Sequence, residues 1–193
     1  MFNRVTADGF FAGADGNLDW VVPDREIDRK AIKSMGQFDT VLFGRRTYEL
    51  FESFWPHALD SSPTSPDPHN NRELSPEMRS MAVFLNEASK IVFSKTMKEA
   101  KWSNAQLKRS FDPNEIEELK KGPGKDMLVF GSGSIISQLT VNRLIDEYQF
   151  VVSPILIGNG KSMMGGVASR LSLELQDAER FPSGNVMLRY ARA

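Results

Sequence analysis

Short apolar runs alternate with amphipathic helical patterns along most of the chain, and this alternation restricts the fold more than any other feature. Because a strand followed by a crossover helix returns parallel to its neighbour, the alternation predicts an α/β fold. The apolar runs at 148–152 and 154–157 are too close together for a crossover helix, which predicts antiparallel strands there. The sequence therefore predicts a three-layer α/β/α sandwich with a mostly parallel central sheet and antiparallel C-terminal strands.

The composition is typical of a soluble globular protein. Of 193 residues, 40% are hydrophobic and 25% are charged, and we expect a single domain over residues 1–193. The net charge of −1 provides no basic field for nucleic acid or for an acidic membrane surface. No apolar run reaches the roughly 20 residues of a spanning helix, and the N-terminus lacks a signal-peptide pattern, so we expect a cytoplasmic protein.

Metal and thiol chemistry are not expected from this composition. The chain has no cysteine, which excludes disulfides and thiol nucleophiles. Its two histidines, His57 and His69, lack the spacing of a metal site. Both lie in a segment rich in Pro, Ser and Asp over residues 56–76. We interpret this segment as a flap or loop insertion, because the strand–helix alternation resumes unchanged beyond it.

Capping signals predict where individual elements begin and end. Residues 23–24, Pro-Asp, start a helix that Gly36 stops, and residues 75–77, Ser-Pro-Glu, start another. A third helix is predicted over 47–54. The first strand is predicted over 4–12, with a break at the Asp-Gly pair of residues 8–9.

The stretch DTVLFGRRTYELF, residues 39–51, is the best candidate for a binding site. An apolar run ends at Gly44, and Thr47 opens a helical pattern, so free backbone N–H groups and the positive end of a helix dipole meet at one point. Arg45 and Arg46 add two permanent cations with forked donors suited to phosphate. The plainer alternative is an ordinary strand–helix turn with solvated arginines.

Two further predicted strands also end in polar or glycine-rich turns. One ends in Ser-Lys-Thr at 94–96, and the other in Gly-Ser-Gly-Ser at 131–134. Ligands of open α/β sheets bind at the carboxyl ends of strands, so these turns are candidates for holding a nucleotide. The second turn is a weak match to a Rossmann fingerprint, because Ile136 stands where the last small residue belongs.

The order of these turns resembles the dihydrofolate reductase fold, and more closely its branch related to the reductase domain of bacterial riboflavin biosynthesis. The resemblance covers nearly the whole chain and depends on five motifs in the correct order. They are TADGFFAGADGNLDW, VLFGRRTYE, IVFSKTM, MLVFGSGSIISQL and LIDEYQFVVSPILIGNGK. Dihydrofolate reductases have Gly-Gly joined by a cis peptide where this chain has Gly131-Ser132, so the sequence leaves the state of that bond open.

The resemblance implies NADPH as the cofactor. It places the diphosphate near the first and third turns, and the 2′-phosphate near Arg45 or Arg46 with Ser94 and Lys95 closing over it. The cofactor-binding residues that we predict are Gly44, Arg45, Arg46, Thr47, Ser94, Lys95, Thr96, Gly131, Ser132, Gly133, Ser134 and Ile135.

Two carboxylates compete for the catalytic role of managing the proton. Asp28 occupies the position of the acid in dihydrofolate reductases, counted back from Gly44 without gaps, but it has charged neighbours. Asp8 follows the first strand, where the riboflavin branch has Asp-Gly near the nicotinamide and the substrate. Either residue could instead have no catalytic role: Asp28 could be a solvated surface carboxylate, and Asp8 could be a turn-forming residue. Asp19 and Trp20 are predicted to contact the substrate at the entrance of the same site.

The resemblance indicates an NADPH-dependent reductase of a flat nitrogen heterocycle, pyrimidine-like or pteridine-like, whose nearest analogue reduces a ribosylamino-pyrimidine. A non-catalytic NADPH-binding protein, either a sensor or a vestigial reductase, is the alternative. The resembling branch forms dimers through its late strands, and the apolar run VVSPILIG would otherwise leave a sheet edge open, so we expect a homodimer.

Overall fold

The computed structural model describes residues 1–60 and 74–193. The chain forms two compact units. The first unit contains Met1–Asp24, Asp112–Lys121 and Val129–Ala193, and the second contains Arg25–Phe111 and Gly122–Leu128. The flap predicted at 56–76 lies largely outside the described residues, which stop at residue 60 and resume at residue 74.

Helices and strands alternate as predicted, and the fold is α/β. The helices are α1 Arg25–Met35, α2 Arg45–Glu52, α3 Pro76–Glu87, α4 Pro113–Lys121 and α5 Gly133–Val141, and a 3-10 turn is formed by Trp55–His57. The strands are β1 Phe2–Thr6, β2 Phe10–Gly13, β3 Phe38–Gly44, β4 Ser89–Phe93, β5 Ala105–Lys108, β6 Asp126–Gly131, β7 Glu147–Ser153, β8 Gly160–Ser162, β9 Leu173–Arg180 and β10 Val186–Arg192.

The helix starts follow the capping signals closely. The hydroxyl oxygen of Ser75 accepts a hydrogen bond from the backbone N–H of Met78 at 3.1 Å, and Pro76 is the first residue of α3. Helix α1 ends at Met35, directly before the predicted stop at Gly36. Both predictions are confirmed.

The second unit is built on parallel strands. Their sheet has the order β5-β4-β3-β6, in which β4 runs parallel to both β3 and β5. Residues Val41, Leu42 and Phe43 of β3 are buried, as are Ile91 and Val92 of β4. This core fixes the register that sets Gly44 opposite Phe93, so the carboxyl ends of β3 and β4 lie side by side.

The first unit has a mixed sheet with the order β1-β7-β10-β9. Strand β1 is parallel to β7, whereas β10 is antiparallel to both β7 and β9, which agrees with the antiparallel C-terminal strands expected from the sequence. A separate ribbon pairs β2 with β8. Glycine is required at position 160 of this ribbon, because an added Cβ would lie 2.5 Å from the carbonyl oxygen of Ala12.

The strand predicted at 154–157 is wrong. This segment is an irregular loop, and the next strand, β8, begins only at Gly160. Pro154 lacks an N–H donor, and the N–H of Ile157 is bound by the carboxylate of Asp8 rather than by a neighbouring strand. The segment therefore cannot pair along its length.

Smaller differences concern element boundaries and three strands that the sequence does not predict. Helix α2 begins at Arg45, two residues before the predicted start. The single broken strand predicted over 4–12 forms two strands, β1 and β2, which are separated by a turn with Gly9 at φ +87°. Strands β5, β8 and β9 were not predicted, because β5 and β8 are short and β9 is mostly exposed.

Candidate functional site

Two of the predicted strand-end turns come together in the second unit. Because β3 and β4 end side by side, the turn after Gly44 lies next to the turn of residues 94–96. A direct bond joins them: Nη1 of Arg45 donates to the hydroxyl oxygen of Thr96 at 2.8 Å. Nε of Arg45 also donates to the Glu49 carboxylate at 2.7 Å, one helical turn along α2. We call this group, Gly44–Thr47 and Ser94–Thr96, the arginine turn.

The start of α2 is open to an anion. Gly44 is the N-cap in an extended conformation, and glycine has no side chain with which to cap the helix. The first turn of α2 also carries no acidic residue. Helix α3 is different, because Ser75 caps it and Glu77 lies in its first turn. The amide donors at the start of α2 are therefore available to a negatively charged group.

Two exposed cations accompany Arg45 at the arginine turn. The side chains of Arg46 and Lys95 are exposed, and neither makes a hydrogen bond or an ion pair with another described residue. Ser94, in contrast, is 8% exposed, and its hydroxyl oxygen accepts from the backbone N–H groups of Thr96 and Met97 at 3.3 and 3.0 Å. Ser94 thus fixes the shape of the turn that presents Lys95.

The glycine turn, residues Gly131–Ile135, begins α5 in the first unit. The Gly131-Ser132 peptide is cis, which answers the question that the sequence left open. Gly131 has φ +145°, a conformation that favours glycine, and a Cβ at Gly133 would lie 2.9 Å from the ring of Phe11. The hydroxyl of Ser132 is hydrogen-bonded to that of Ser134 at 3.0 Å and does not cap the helix. Like α2, α5 has no acidic residue in its first turn.

Asp8, the first candidate for the proton, is held by three donors. Its carboxylate accepts from the Thr6 hydroxyl at 2.5 Å and from the backbone N–H groups of Ile157 and Gly158 at 3.0 and 2.7 Å. These bonds, with that from Thr6 the largest cause, lower the pKa of Asp8 below its ordinary value. Asp8 therefore stays ionised and anchors the loop that follows β7.

Asp28, the second candidate, lies in the first turn of α1 in the second unit. It is half-buried and directly follows Ile27, which is completely buried. Asp28 is therefore not fully exposed to bulk solvent. Full exposure would have excluded it as the residue that manages the proton.

A cleft of about 370 Å³ lies in the first unit. Two loops form it, the one after β2 and the one after β7, and the second of these is the loop that Asp8 anchors. Among its lining residues are Asp15, Asn17, Asp19, Trp20, Ile157 and Asn159. Asp19 and Trp20, which the sequence predicts as substrate contacts, thus share one cleft.

Trp20 is the unusual member of this lining. It is only 6% exposed, and its indole Nε1–H has no hydrogen-bond partner among the described residues. Buried indole N–H groups normally have an acceptor. Sequence reasoning missed Asp15, Asn17 and Asn159 as lining residues, although their Gly/Asn-rich loops were recognisable as tight turns.

Neither a metal-binding cluster nor a membrane-spanning helix is found among the described residues. No cluster of histidine and acidic side chains is arranged to hold a metal ion in the part of the chain that the structure covers. No helix there is both long enough and apolar enough to cross a membrane.

The protein therefore has an α/β fold in which β3 and β4 end in the arginine turn and β6 ends in the glycine turn. The chain belongs to the RibD C-terminal domain family, whose model matches residues 1–187. The resemblance inferred from the five sequence motifs is thereby confirmed.

Three relatives match nearly all of this chain in sequence or in structure. YyaP of Bacillus subtilis (strain 168) is 31% identical over 186 residues, or 96% of this chain and 90% of YyaP. A Shewanella sp. PV-4 protein named for riboflavin biosynthesis is 24% identical, with a TM-score of 0.72 over 100% of this chain and 97% of that one. A bifunctional diaminohydroxyphosphoribosylaminopyrimidine deaminase/5-amino-6-(5-phosphoribosylamino)uracil reductase from Thermotoga maritima is 17% identical, with a TM-score of 0.66 over 99% of this chain but only 55% of that protein. Both structural similarities concern the fold alone.

Proposed function

We propose that this protein is an NADPH-dependent reductase that acts on a flat nitrogen heterocycle, pyrimidine-like or pteridine-like. Membership of a family of reductase domains supports the reaction class. The observation that carries the cofactor assignment is the arginine turn, in which Arg45 is bonded to Thr96 across two strand ends, beside the uncapped start of α2.

The arginine turn suits the 2′-phosphate that distinguishes NADPH from NADH. Of the five N–H donors of the Arg45 guanidinium, the bonds to Glu49 and Thr96 engage two. The remaining donors, together with the exposed cations of Arg46 and Lys95, can bind phosphate oxygens. Thr47 and Gly44 would contribute backbone amides at the same helix start.

The glycine turn suits a diphosphate. Glycines at 131 and 133 allow the backbone to approach a ligand closely, and Ile135 lies in an α5 first turn that no acid occupies. Ser132 and Ser134 add hydroxyls that can donate to phosphate oxygens. Hydride is the chemistry that NADPH supplies when bound.

A reduction of C=N or C=O also needs a proton, and Asp28 is the stronger candidate to manage it. Asp8 accepts three hydrogen bonds and its pKa is lowered, which supports a structural role in which its carboxylate fixes the loop that lines the cleft. Asp28 is half-buried in the first turn of α1, a position partly shielded from solvent, and is the remaining carboxylate candidate for general acid catalysis.

We also propose that the protein forms a homodimer. Ile155 and Leu156, in the loop after β7, are 37% and 75% exposed. Large apolar side chains exposed next to each other are typical of protein–protein contacts. A second copy of this chain is the partner that the family resemblance favours.

Turnover of NADPH with a panel of pyrimidines and pteridines tests the proposed reaction. We expect loss of nicotinamide absorbance that depends on one member of the panel, together with a reduced product identified by mass spectrometry. Arg45→Ala should raise the KM for NADPH, whereas Lys98→Ala, which removes an exposed positive charge three residues beyond Lys95, should not. NADPH binding without substrate-dependent turnover would instead indicate the non-catalytic alternative.

A further inference from the structure

Arg109 lies at the carboxyl end of a third strand beside the arginine turn. Strand β5 ends at Lys108, which is paired with Phe93 of β4, and Phe93 is in turn paired with Gly44 of β3. The backbone N–H of Ser94 donates to the carbonyl oxygen of Lys108 at 3.0 Å, so the contact between β4 and β5 continues past the paired residues. The carboxyl ends of β3, β4 and β5 therefore lie in one row, and all three strands belong to the second unit.

The guanidinium of Arg109 holds the backbone of the turn that follows β4, residues 94–98, which we call the lysine turn. Its Nη1 donates to the carbonyl oxygen of Met97, and its Nη2 donates to that of Lys98 at 3.1 Å. These are charge-assisted hydrogen bonds, and the planar fork of the guanidinium places a separate nitrogen at each carbonyl. Among the described residues, Arg109 has no carboxylate partner, so these backbone oxygens are its acceptors.

Two other contacts hold the lysine turn. From the side of β3, Nη1 of Arg45 donates to the hydroxyl oxygen of Thr96 at 2.8 Å. Within the turn, the hydroxyl oxygen of Ser94 accepts from the N–H groups of Thr96 and Met97 at 3.3 and 3.0 Å. Lys95 is exposed between these anchored residues. The backbone that carries Lys95 is therefore fixed from both neighbouring strands.

A fixed backbone matters for Lys95 because its side chain is flexible. The ammonium ends a four-carbon stem, so its reach toward a bound phosphate depends on where the backbone places it. A turn that had to be ordered on binding would reduce the affinity by the cost of that ordering. The two bonds from Arg109 fix carbonyls two and three residues beyond Lys95, and they do so before a ligand is present.

We propose that Arg109 is a positioning residue for cofactor selectivity, whose bonds to the backbone of Met97 and Lys98 hold the lysine turn in the shape in which Lys95 binds the 2′-phosphate of NADPH. This proposal rests on the proposed function, because it specifies how the same site distinguishes NADPH from NADH. Arg109 acts through the turn, so its positive charge alone is not sufficient. The effect is confined to the 2′-phosphate, which NADH lacks.

Calorimetric titration of the full chain with NADPH and with NADH tests this role. Arg109→Met keeps the aliphatic stem and removes the guanidinium. We expect NADPH binding to weaken roughly tenfold, the order expected when one charge-assisted hydrogen bond is no longer aligned, and NADH binding to stay unchanged. Arg109→Lys restores the charge without the fork, so it should lose most of the same preference.

Lys98→Met is the matched control. It removes the same charge from the same turn, and Lys98 is exposed. Because Arg109 binds the backbone of residue 98 rather than its side chain, we expect this variant to keep the wild-type preference for NADPH. Thermal denaturation shows that each variant is folded, and exposure of both altered side chains makes folded variants the expected result.

Amide hydrogen exchange without cofactor measures how firmly the lysine turn is held. The N–H of Met97 is bonded within the turn to the hydroxyl of Ser94, so its exchange rate reports opening of the turn. We expect Arg109→Met and Arg109→Lys to accelerate this exchange several-fold, and Lys98→Met to leave it at the wild-type rate.

Three results would overturn the proposal: a wild-type preference for NADPH in Arg109→Lys, equal losses of NADPH and NADH affinity in Arg109→Met, or unchanged exchange of the Met97 amide in both variants. These outcomes are separable from failure of the proposed function. A wild-type protein that binds both cofactors equally would refute the NADPH site and this proposal with it. A wild-type protein that prefers NADPH, together with an unaffected Arg109→Met, would refute only the role of Arg109.

Discussion

Lys90 in the second unit is a buried cation that no carboxylate among the described residues pairs with, and its replacement by methionine tests what this burial costs. Lys90 is 1% exposed, and its ammonium donates to the carbonyl oxygens of Ala88 at 2.8 Å and Ser103 at 3.0 Å. It also lies 4.5 Å from the centre of the Trp102 ring. The carbonyl of Ala88 belongs to the C-terminal end of α3, where the helix dipole favours a cation.

Burial makes the charge of Lys90 costly. Desolvation lowers its pKa from 10.5 to about 8. Because the folded pKa lies below the unfolded value, the unfolded chain binds more protons between these two pH values, and the free energy of unfolding rises with pH across that window. At about 1.4 kcal/mol per pKa unit, the gain from this residue is roughly 3 kcal/mol.

Chemical denaturation of the wild-type protein and of Lys90→Met, from pH 7 to pH 11, measures this effect. We expect the stability of the wild type relative to Lys90→Met to increase by about 3 kcal/mol over the range. Lys98→Met, which changes an exposed lysine, should follow the wild type throughout. Parallel pH profiles for the wild type and Lys90→Met would show that burial does not lower this pKa.

The remaining predictions concern cofactor affinity, proton transfer and oligomeric state. Arg45→Ala and Lys95→Ala should each weaken NADPH binding by about 1.5–3 kcal/mol and reduce the preference over NADH, as calorimetry can measure. Asp28→Asn should lower turnover about 10²–10⁴-fold and leave the NADPH affinity unchanged. Asp8→Asn should chiefly raise the KM for the substrate. Steady-state kinetics measure both effects, and the reverse pattern would mean that Asp8 manages the proton and Asp28 has the structural role. Light scattering at micromolar concentration should give a dimeric mass that Leu156→Asp reduces to monomer, and a monomeric wild type would contradict this.

Local signals predicted the parts of the fold that depend on neighbouring residues. Ser75 and Pro76 define the start of α3 because a side-chain cap and a fixed φ act within one turn. Gly44 marks the end of β3 because the buried run before it and the helical pattern after it are both visible in sequence. The two turns that form the arginine turn were predicted for the same reason.

The cleft could be predicted only in part, because its geometry depends on contacts between distant residues. Asp8 binds Ile157, which lies 149 positions further along the chain. No local pattern reveals that this bond replaces strand pairing at 154–157, so the sequence indicated a strand where the structure has a loop. The orphaned N–H of Trp20 is likewise invisible in sequence, since it depends on which acceptors the fold leaves out of reach.

Isothermal titration of the wild-type protein with NADPH and with NADH, at the same moderate ionic strength, tests the central claim most directly. The arginine turn should favour NADPH by about 10- to 100-fold, the range expected for one or two charge-assisted hydrogen bonds to the 2′-phosphate. The preference should shrink as salt is added, because the cations involved are exposed. Equal dissociation constants for the two cofactors, or no binding of either, would contradict the assignment of this turn as the site of an NADPH-dependent reductase.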